Sequence, residues 1–124
     1  MQWTKLLPSM MNESFTIANS MMEMVNDDEL NWKPTDGKNW MTVGQLLKHM
    51  TNSCGFCCNG FATGDWGMPN GSGDTEQEHA DMLSPAEALP TVESVAEARE
   101  LLGMDRKMAF SVIEQAEKNG WIQK

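Results

Sequence analysis

Apolar residues recur at helical spacing in three segments of the chain. In the first segment five of them follow one another at intervals of three or four: Met11, Phe15, Ala18, Met22 and Val25. This period predicts one amphipathic helix that ends near residues 26–27. Pro8 fits the first turn of such a helix, because a backbone N–H is not needed there.

The second segment begins with a helix-start signal and continues as a long apolar stripe. Thr42 is followed at the third position by Gln45, as in a capping box, and Met41 and Leu46 are placed for a hydrophobic staple. The pattern predicts a helix from about Val43 to Phe61. On a helical wheel seven of its residues share one stripe: Val43, Leu47, Met50, Cys54, Cys57, Cys58 and Phe61.

The third segment has the clearest period. Ser94 and Glu97 suggest another capped start, and Asn119-Gly120 is a stop signal. Between them the apolar positions are Val95, Ala98, Leu102, Ala109, Val112, Ile113 and Ala116. The charged residues Glu100, Asp105 and Arg106 have the spacing of a solvated face, so we expect surface ion pairs from them rather than catalysis.

The connection between the second and third helices is long and rich in Gly, Pro, Asp and Ser: "TGDWGMPNGSGDTEQEHADMLSPAEALP". Its length predicts a crossover rather than a turn. We therefore expect an all-α, up-down helical bundle with three long helices and a long loop between helices 2 and 3, formed by residues 1–124 as a single domain. Three tryptophans that flank the second helix are expected to cover the ends of the core: Trp32, Trp40 and Trp66.

Composition excludes several classes of partner. The 124 residues carry a formal net charge of −9 with no run of Lys or Arg, so we expect neither nucleic acid nor an anionic membrane as a partner. A signal-peptide pattern and a long apolar span are both missing from the sequence, which predicts a cytoplasmic protein. Three cysteines do not form a secreted disulfide framework, and we expect them to be reduced.

The stretch "HMTNSCGFCCNGF", residues 49–61, contains one histidine and all three cysteines of the chain. It could be a metal site, a redox pair or neither. Cys54 and Cys57 have CxxC spacing. A redox pair, however, needs a helix N-terminus to lower the thiol pKa, and the predicted helix places these residues three turns in. Packing is therefore the expected role of the cysteines. His49 lies at the edge of the stripe, about 140° around the wheel from Cys54, so one straight helix cannot bring both to the same ion.

Two runs carry a resemblance to a known family. Residues 30–69, "LNWKPTDGKNWMTVGQLLKHMTNSCGFCCNGFATGDWGMP", and residues 94–114, "SVAEARELLGMDRKMAFSVIE", are similar to the DinB-like superfamily, especially in Lys48-His49 after an apolar pair and a capping Thr. The resemblance implies a four-helix bundle and a metal-dependent thiol transferase or hydrolase. It also implies that three histidines bind a divalent metal, often nickel or zinc, with His49 as the first ligand.

The sequence departs from the family where the other two ligands should lie. In the family they form an HxxxH pair on a fourth helix, whereas this chain ends at Lys124, where that helix would begin. The other histidine, His79, falls in the predicted loop among acidic residues, where we expect it to be solvated. The metal site is therefore expected to be incomplete in this chain, with His49 as its remaining ligand.

A bundle without its fourth helix would expose an apolar groove. We expect a symmetric homodimer to cover it, with Trp and Met residues among the contacts, and we expect a charge at groove positions such as Val112 to dissociate the dimer. Two functions follow as alternatives. One is a divalent-metal-binding, thiol-transferase-like or hydrolase-like protein that uses His49, and the other is a non-enzymatic helical module that acts by homodimerisation or partner binding.

Overall fold

The computed structural model describes residues 2–36, 41–67 and 88–121, and within these ranges every regular element is helical. The predicted all-α fold class is confirmed. A short 3-10 turn, Asp27–Glu29, follows the first of four α-helices: α1 (Trp3–Glu23), α2 (Val43–Met50), α3 (Cys54–Thr63) and α4 (Val95–Lys118). None of the described helices combines the length and the apolar character that crossing a membrane requires.

Helix α4 is the element against which the other helices pack. It contacts α3 most extensively, and it also contacts α1 and α2. As predicted, Ser94 caps its start, because the Ser94 hydroxyl accepts a 3.0 Å hydrogen bond from the Glu97 N–H. Its buried apolar side chains are largely small, which lets neighbouring helices approach closely: Ala98, Leu102, Ala109, Val112 and Ala116. Val112 is thus a core residue and not, as expected, a groove position.

Helix α1 packs through the stripe that the sequence indicates. Phe15 and Met22 are buried in the core, and three half-buried residues of the same stripe pack against it: Met11, Ala18 and Val25. The helix begins at Trp3, however, so Pro8 lies inside it rather than in its first turn. The carbonyl of Gln2 already accepts hydrogen bonds from the N–H groups of Lys5 and Leu6, so the helix is established before Pro8 is reached.

The predicted second helix is two helices. The chain forms α2, interrupts the regular helix at residues 51–53, and starts again as α3. The far end of the predicted stripe is also wrong, because Phe61 is 83% exposed and Cys57 is exposed. Phe61 instead meets the edge of the Trp66 ring at a centroid distance of 5.0 Å.

The tryptophans differ from one another in their surroundings. Trp66 is half-buried and packs against α3 at Gly60, where a side chain would collide with its ring. Trp32 is 62% exposed and so does not cover the core as expected. Trp40 lies outside the described residues, as do His79 and the centre of the predicted long loop.

Backbone hydrogen bonds join three distant segments at the start of α2. The Gly44 N–H donates to the Leu30 carbonyl at 2.8 Å, and the Gly44 carbonyl accepts from the Val92 N–H at 3.3 Å. Leu30 and Val92 are both buried. This junction fixes the direction in which α2 leaves toward the centre of the molecule.

Candidate functional site

The break between α2 and α3 begins with two hydroxyl groups that bond to the end of α2. Thr51 Oγ1 donates to the Lys48 carbonyl at 2.7 Å, and Ser53 Oγ donates to the His49 carbonyl at 2.7 Å. The same two carbonyls also accept the backbone N–H groups of Thr51 and Asn52 at 3.2 and 3.3 Å, so the hydroxyl groups reinforce the end of the helix. They leave the His49 backbone held in place at the last turn of α2.

The new start at α3 is held by a side chain from α4. The carboxylate of Asp105 is buried, and it accepts the Gly55 N–H at 2.9 Å and the Cys54 N–H at 3.2 Å. A carboxylate at a helix N-terminus satisfies free N–H groups and interacts favourably with the positive end of the helix dipole. Asp105 therefore acts as a cap supplied from another helix, and not as the surface ion-pairing residue that its spacing suggested.

Gly55 allows α3 and α4 to approach closely enough for this cap. A Cβ at Gly55 would lie 2.5 Å from the Asp105 backbone carbonyl oxygen and 2.7 Å from Oδ1. Those distances are far below ordinary contact, so any larger residue would push the two helices apart. The sequence held one signal for this contact, since Gly55 lies within a predicted helix, where glycine is costly without a packing reason.

The cysteines occupy the same region but are poorly suited to thiolate chemistry. Burial first, and then the neighbouring Cys58 and the Asp105 carboxylate, raise the pKa of Cys54 to about 11. Burial likewise raises the pKa of Cys58. Cys54 is the first residue of α3, so the expectation that it lies three turns into a helix is wrong. Its thiolate is disfavoured nonetheless, because the thiol is partly buried and the Asp105 carboxylate occupies the helix start.

A groove of about 880 Å³ lies beside the break at residues 51–53, between the α2–α3 pair and α4. We call it the His49 groove. Its apolar wall comes chiefly from Phe56 of α3 and from Leu101, Met104 and Met108 of α4. Polar groups lie along the α2 side, among them Gln45, Lys48, His49 and Ser53. Gln45 is held by the confirmed capping box with Thr42 and also donates to the Leu89 carbonyl.

His49 is an exposed residue on the wall of this groove. The groove also contains Cys57 and Asp105, but both oxygens of Asp105 already accept backbone N–H groups. Within the described ranges no three His, Cys, Asp or Glu side chains come together in a group that could hold a metal ion. These residues therefore do not by themselves fit a three-histidine metal centre, and they bring together only its first expected ligand.

Comparison with protein families decides the assignment. The family model of the DinB superfamily matches residues 14–122, which is most of the chain. The chain belongs to the DinB superfamily. Searches of curated proteins and of solved structures returned no match to it.

Membership of the DinB superfamily confirms the resemblance carried by residues 30–69 and 94–114.

Two features of the site were not predicted from the sequence. Asp105 looked like a surface residue because its partners are the backbone N–H groups of α3, which a side-chain pattern does not display. The end of α2 at Met50 escaped because the apolar stripe continues across the break into α3.

Proposed function

We propose that the His49 groove is the functional surface of this DinB-superfamily protein and that it binds a small, largely apolar molecule with a polar end beside His49. The observation that carries the proposal is the groove itself, whose volume of about 880 Å³ matches small-molecule sites. Such sites combine an apolar wall with a few polar groups that fix orientation. Phe56, Met104 and Met108 would supply the apolar wall. Lys48 and His49 would supply the polar groups.

Fluorescence of anilinonaphthalene sulfonate, an apolar dye with an anionic end, tests the groove directly. The Met108→Lys variant should bind the dye at least several-fold more weakly than the wild type, because the charge enters the apolar wall. Leu46→Lys is the matched control, since Leu46 on α2 is as exposed as Met108 (48% against 49%) and does not line the groove. Equal loss in the two variants, or no loss in Met108→Lys, would refute the proposal.

The family resemblance supports a finer version of the proposal, in which the protein is a thiol-transferase-like or hydrolase-like enzyme and the groove also receives a divalent metal, nickel or zinc. In that version His49 is the ligand that the described part of the chain contributes. Imidazole is a common ligand for both metals, and an exposed ring can reach an ion without rearranging the fold. The other ligands would come from His79, from outside the described residues or from the bound molecule.

Calorimetric titration with nickel and with zinc tests the metal. We expect one ion to bind per chain, with at least a tenfold loss of affinity in His49→Gln. The affinity of His79→Gln, measured separately, shows whether His79 is a ligand as well. Binding that is unchanged in His49→Gln would exclude this histidine as a ligand. If neither metal binds the wild type, the metal-dependent version fails while the groove proposal stands.

The second candidate function is a non-enzymatic helical module that acts by homodimerisation or partner binding. It is favoured by the number of large apolar side chains that are exposed on α1, at its C-cap residue Met24 (82%) and on α4, for example Met104 (59%). Light scattering at micromolar concentration should give the mass of two chains.

We also propose that residues 1–124 form a single domain and that the protein is cytoplasmic. Limited proteolysis would test the first proposal, and cell fractionation would test the second.

A further inference from the structure

Helix α1 carries two apolar stripes, and the described parts of the chain cover only one of them. The inner stripe, represented by Phe15 and Met22, packs in the core. The second, which we call the outer stripe, runs along the exposed side of the helix. Its members are between 37% and 82% exposed: Trp3, Leu6, Met10, Ile17, Met21 and Met24. At about 1.5 Å per residue the outer stripe is about 30 Å long.

The outer stripe has the spacing of a helix-pairing surface. Trp3, Met10, Ile17 and Met24 are each seven residues apart, which is the repeat that keeps an apolar seam facing a second helix. Scattered surface apolar residues are ordinary in proteins. A seven-residue repeat that persists over the whole of α1 is a pattern that pairing would explain.

The outer stripe is also symmetric about its own midpoint, which lies between Glu13 and Ser14. Counting outward from that point, Trp3 matches Met24, Leu6 matches Met21 and Met10 matches Ile17. Two copies of α1 that pair antiparallel about a two-fold axis at the midpoint would therefore place every apolar residue opposite another. This self-complementarity is what an isologous dimer interface requires.

Charge along α1 supports the same partner. Between Lys5 and Glu23 the helix contains a single charged residue, Glu13, in a chain whose formal net charge is −9. The interior of a protein interface is depleted of charge in this way. A second copy of so acidic a chain could approach this face with much less repulsion than it would meet elsewhere.

We propose that a second copy of this chain covers the outer stripe through an antiparallel α1–α1 pair. The inference rests on the homodimerisation in the second candidate function and gives it a location other than the His49 groove. From their exposed fractions the six side chains offer on the order of 600 Å² per copy, so two copies would bury about 1,200 Å², the lower limit for a stable interface.

Light scattering of three proteins tests the location. The wild type should have the mass of two chains. Met10→Lys should have the mass of one chain, because the two-fold axis places the new charge in the seam twice. Met108→Lys, the matched variant in the His49 groove, should remain a dimer, and far-ultraviolet circular dichroism should show helical content unchanged in both variants.

The outcomes separate the inference from the function on which it rests. A monomeric wild type overturns both the α1 interface and the homodimer function. If Met108→Lys dissociates the dimer and Met10→Lys does not, the α1 interface is wrong. The homodimer function then stands, with the His49 groove as the dimer interface.

Chemical cross-linking tests the direction of pairing. In a Cys57→Ser background, Ser14→Cys places a thiol beside the axis, whereas the two copies of Ser20→Cys would lie about 20 Å apart along an antiparallel pair. A short bis-maleimide should therefore link Ser14→Cys dimers and leave Ser20→Cys unlinked. Equal linking at both positions would indicate parallel helices and contradict the proposed symmetry.

Glu13 gives a test in the opposite direction. The axis places the two Glu13 side chains on the same flank of the seam, where like charges oppose association. Glu13→Gln should lower the dimer dissociation constant several-fold, and Glu117→Gln, an exposed change on α4, should leave it unchanged. A weaker dimer in Glu13→Gln would contradict this placement.

Discussion

The two sides of the break at residues 51–53 use their polar groups in opposite ways. On the α3 side Asp105 is buried, and both of its oxygens hold backbone N–H groups. On the α2 side the His49 carbonyl is held by Ser53 while the residue itself stays exposed on the groove. The comparison shows that two neighbouring parts of one short stretch have different roles. The α3 side joins two helices through a buried carboxylate, and the α2 side presents the exposed His49 side chain on a fixed backbone.

Removing the buried carboxylate is the most damaging way to break this arrangement. Asp105→Ala should lower the free energy of unfolding by roughly 2–4 kcal/mol, because two N–H groups at the start of α3 lose a charged acceptor. Urea denaturation followed by tryptophan fluorescence measures the change. Asp105→Asn keeps one acceptor oxygen and should lose about half as much, and equal losses in the two variants would argue against a capping role.

Thiol labelling compares two cysteines of α3 that differ in burial, the half-buried Cys54 and the exposed Cys57. The thiolate is the reactive form, and a pKa of about 11 in place of 9.0 gives Cys54 a thiolate population about 100-fold smaller at pH 8. A maleimide should therefore label the exposed Cys57 first and Cys54 slowly, as mass spectrometry of peptides would show.

The same pKa shift has a defined sign for stability. The native state holds the Cys54 proton more tightly than the unfolded chain does, so this contribution is complete below pH 9 and is lost as the pH rises toward 11. Fast labelling of Cys54 at pH 8 in the native protein would contradict both statements.

Two glycine substitutions should change stability in opposite directions. Gly55→Ala should lower the free energy of unfolding by about 1–3 kcal/mol, because its Cβ would meet the Asp105 backbone. Gly103→Ala in α4 has open space around the new methyl group and should raise it by about 0.5–1 kcal/mol through helix propensity. Urea denaturation measures both. The same sign in both variants would mean that α3 and α4 are not in close contact at Gly55.

The smallest effect on stability is expected at the exposed side of the break. His49→Gln should change the free energy of unfolding by less than about 0.5 kcal/mol, since an exposed side chain without a buried partner contributes little. Thermal denaturation of the metal-free protein measures it. A large loss would assign His49 to the fold rather than to binding.

Local patterns predicted the parts of the fold that depend on local physics. Thr42 with Gln45 and Ser94 with Glu97 mark true helix starts, because a cap is formed within four residues of sequence. The inner stripe of α1 was predicted because one face of a helix must meet the core. The family resemblance also extended correctly over most of the chain.

The break at residues 51–53 could not be predicted in this way. The new helix start is capped by Asp105, about 50 residues away in sequence, and the apolar spacing continues across the break as if one helix continued. The outer stripe of α1 was overlooked for a related reason. Helical spacing shows that residues share a face, but it does not show which of two apolar faces the rest of the chain will cover.

The central place of α4 has a consequence for biosynthesis. A ribosome adds residues one after another from the N-terminus, so α1, α2 and α3 leave the exit tunnel before the helix on which they all pack has been made. Until Val95–Lys118 emerges, the inner stripe of α1 lacks the helix against which it packs in the folded protein. We therefore expect this protein to fold after rather than during translation, and to depend on chaperones for those few seconds.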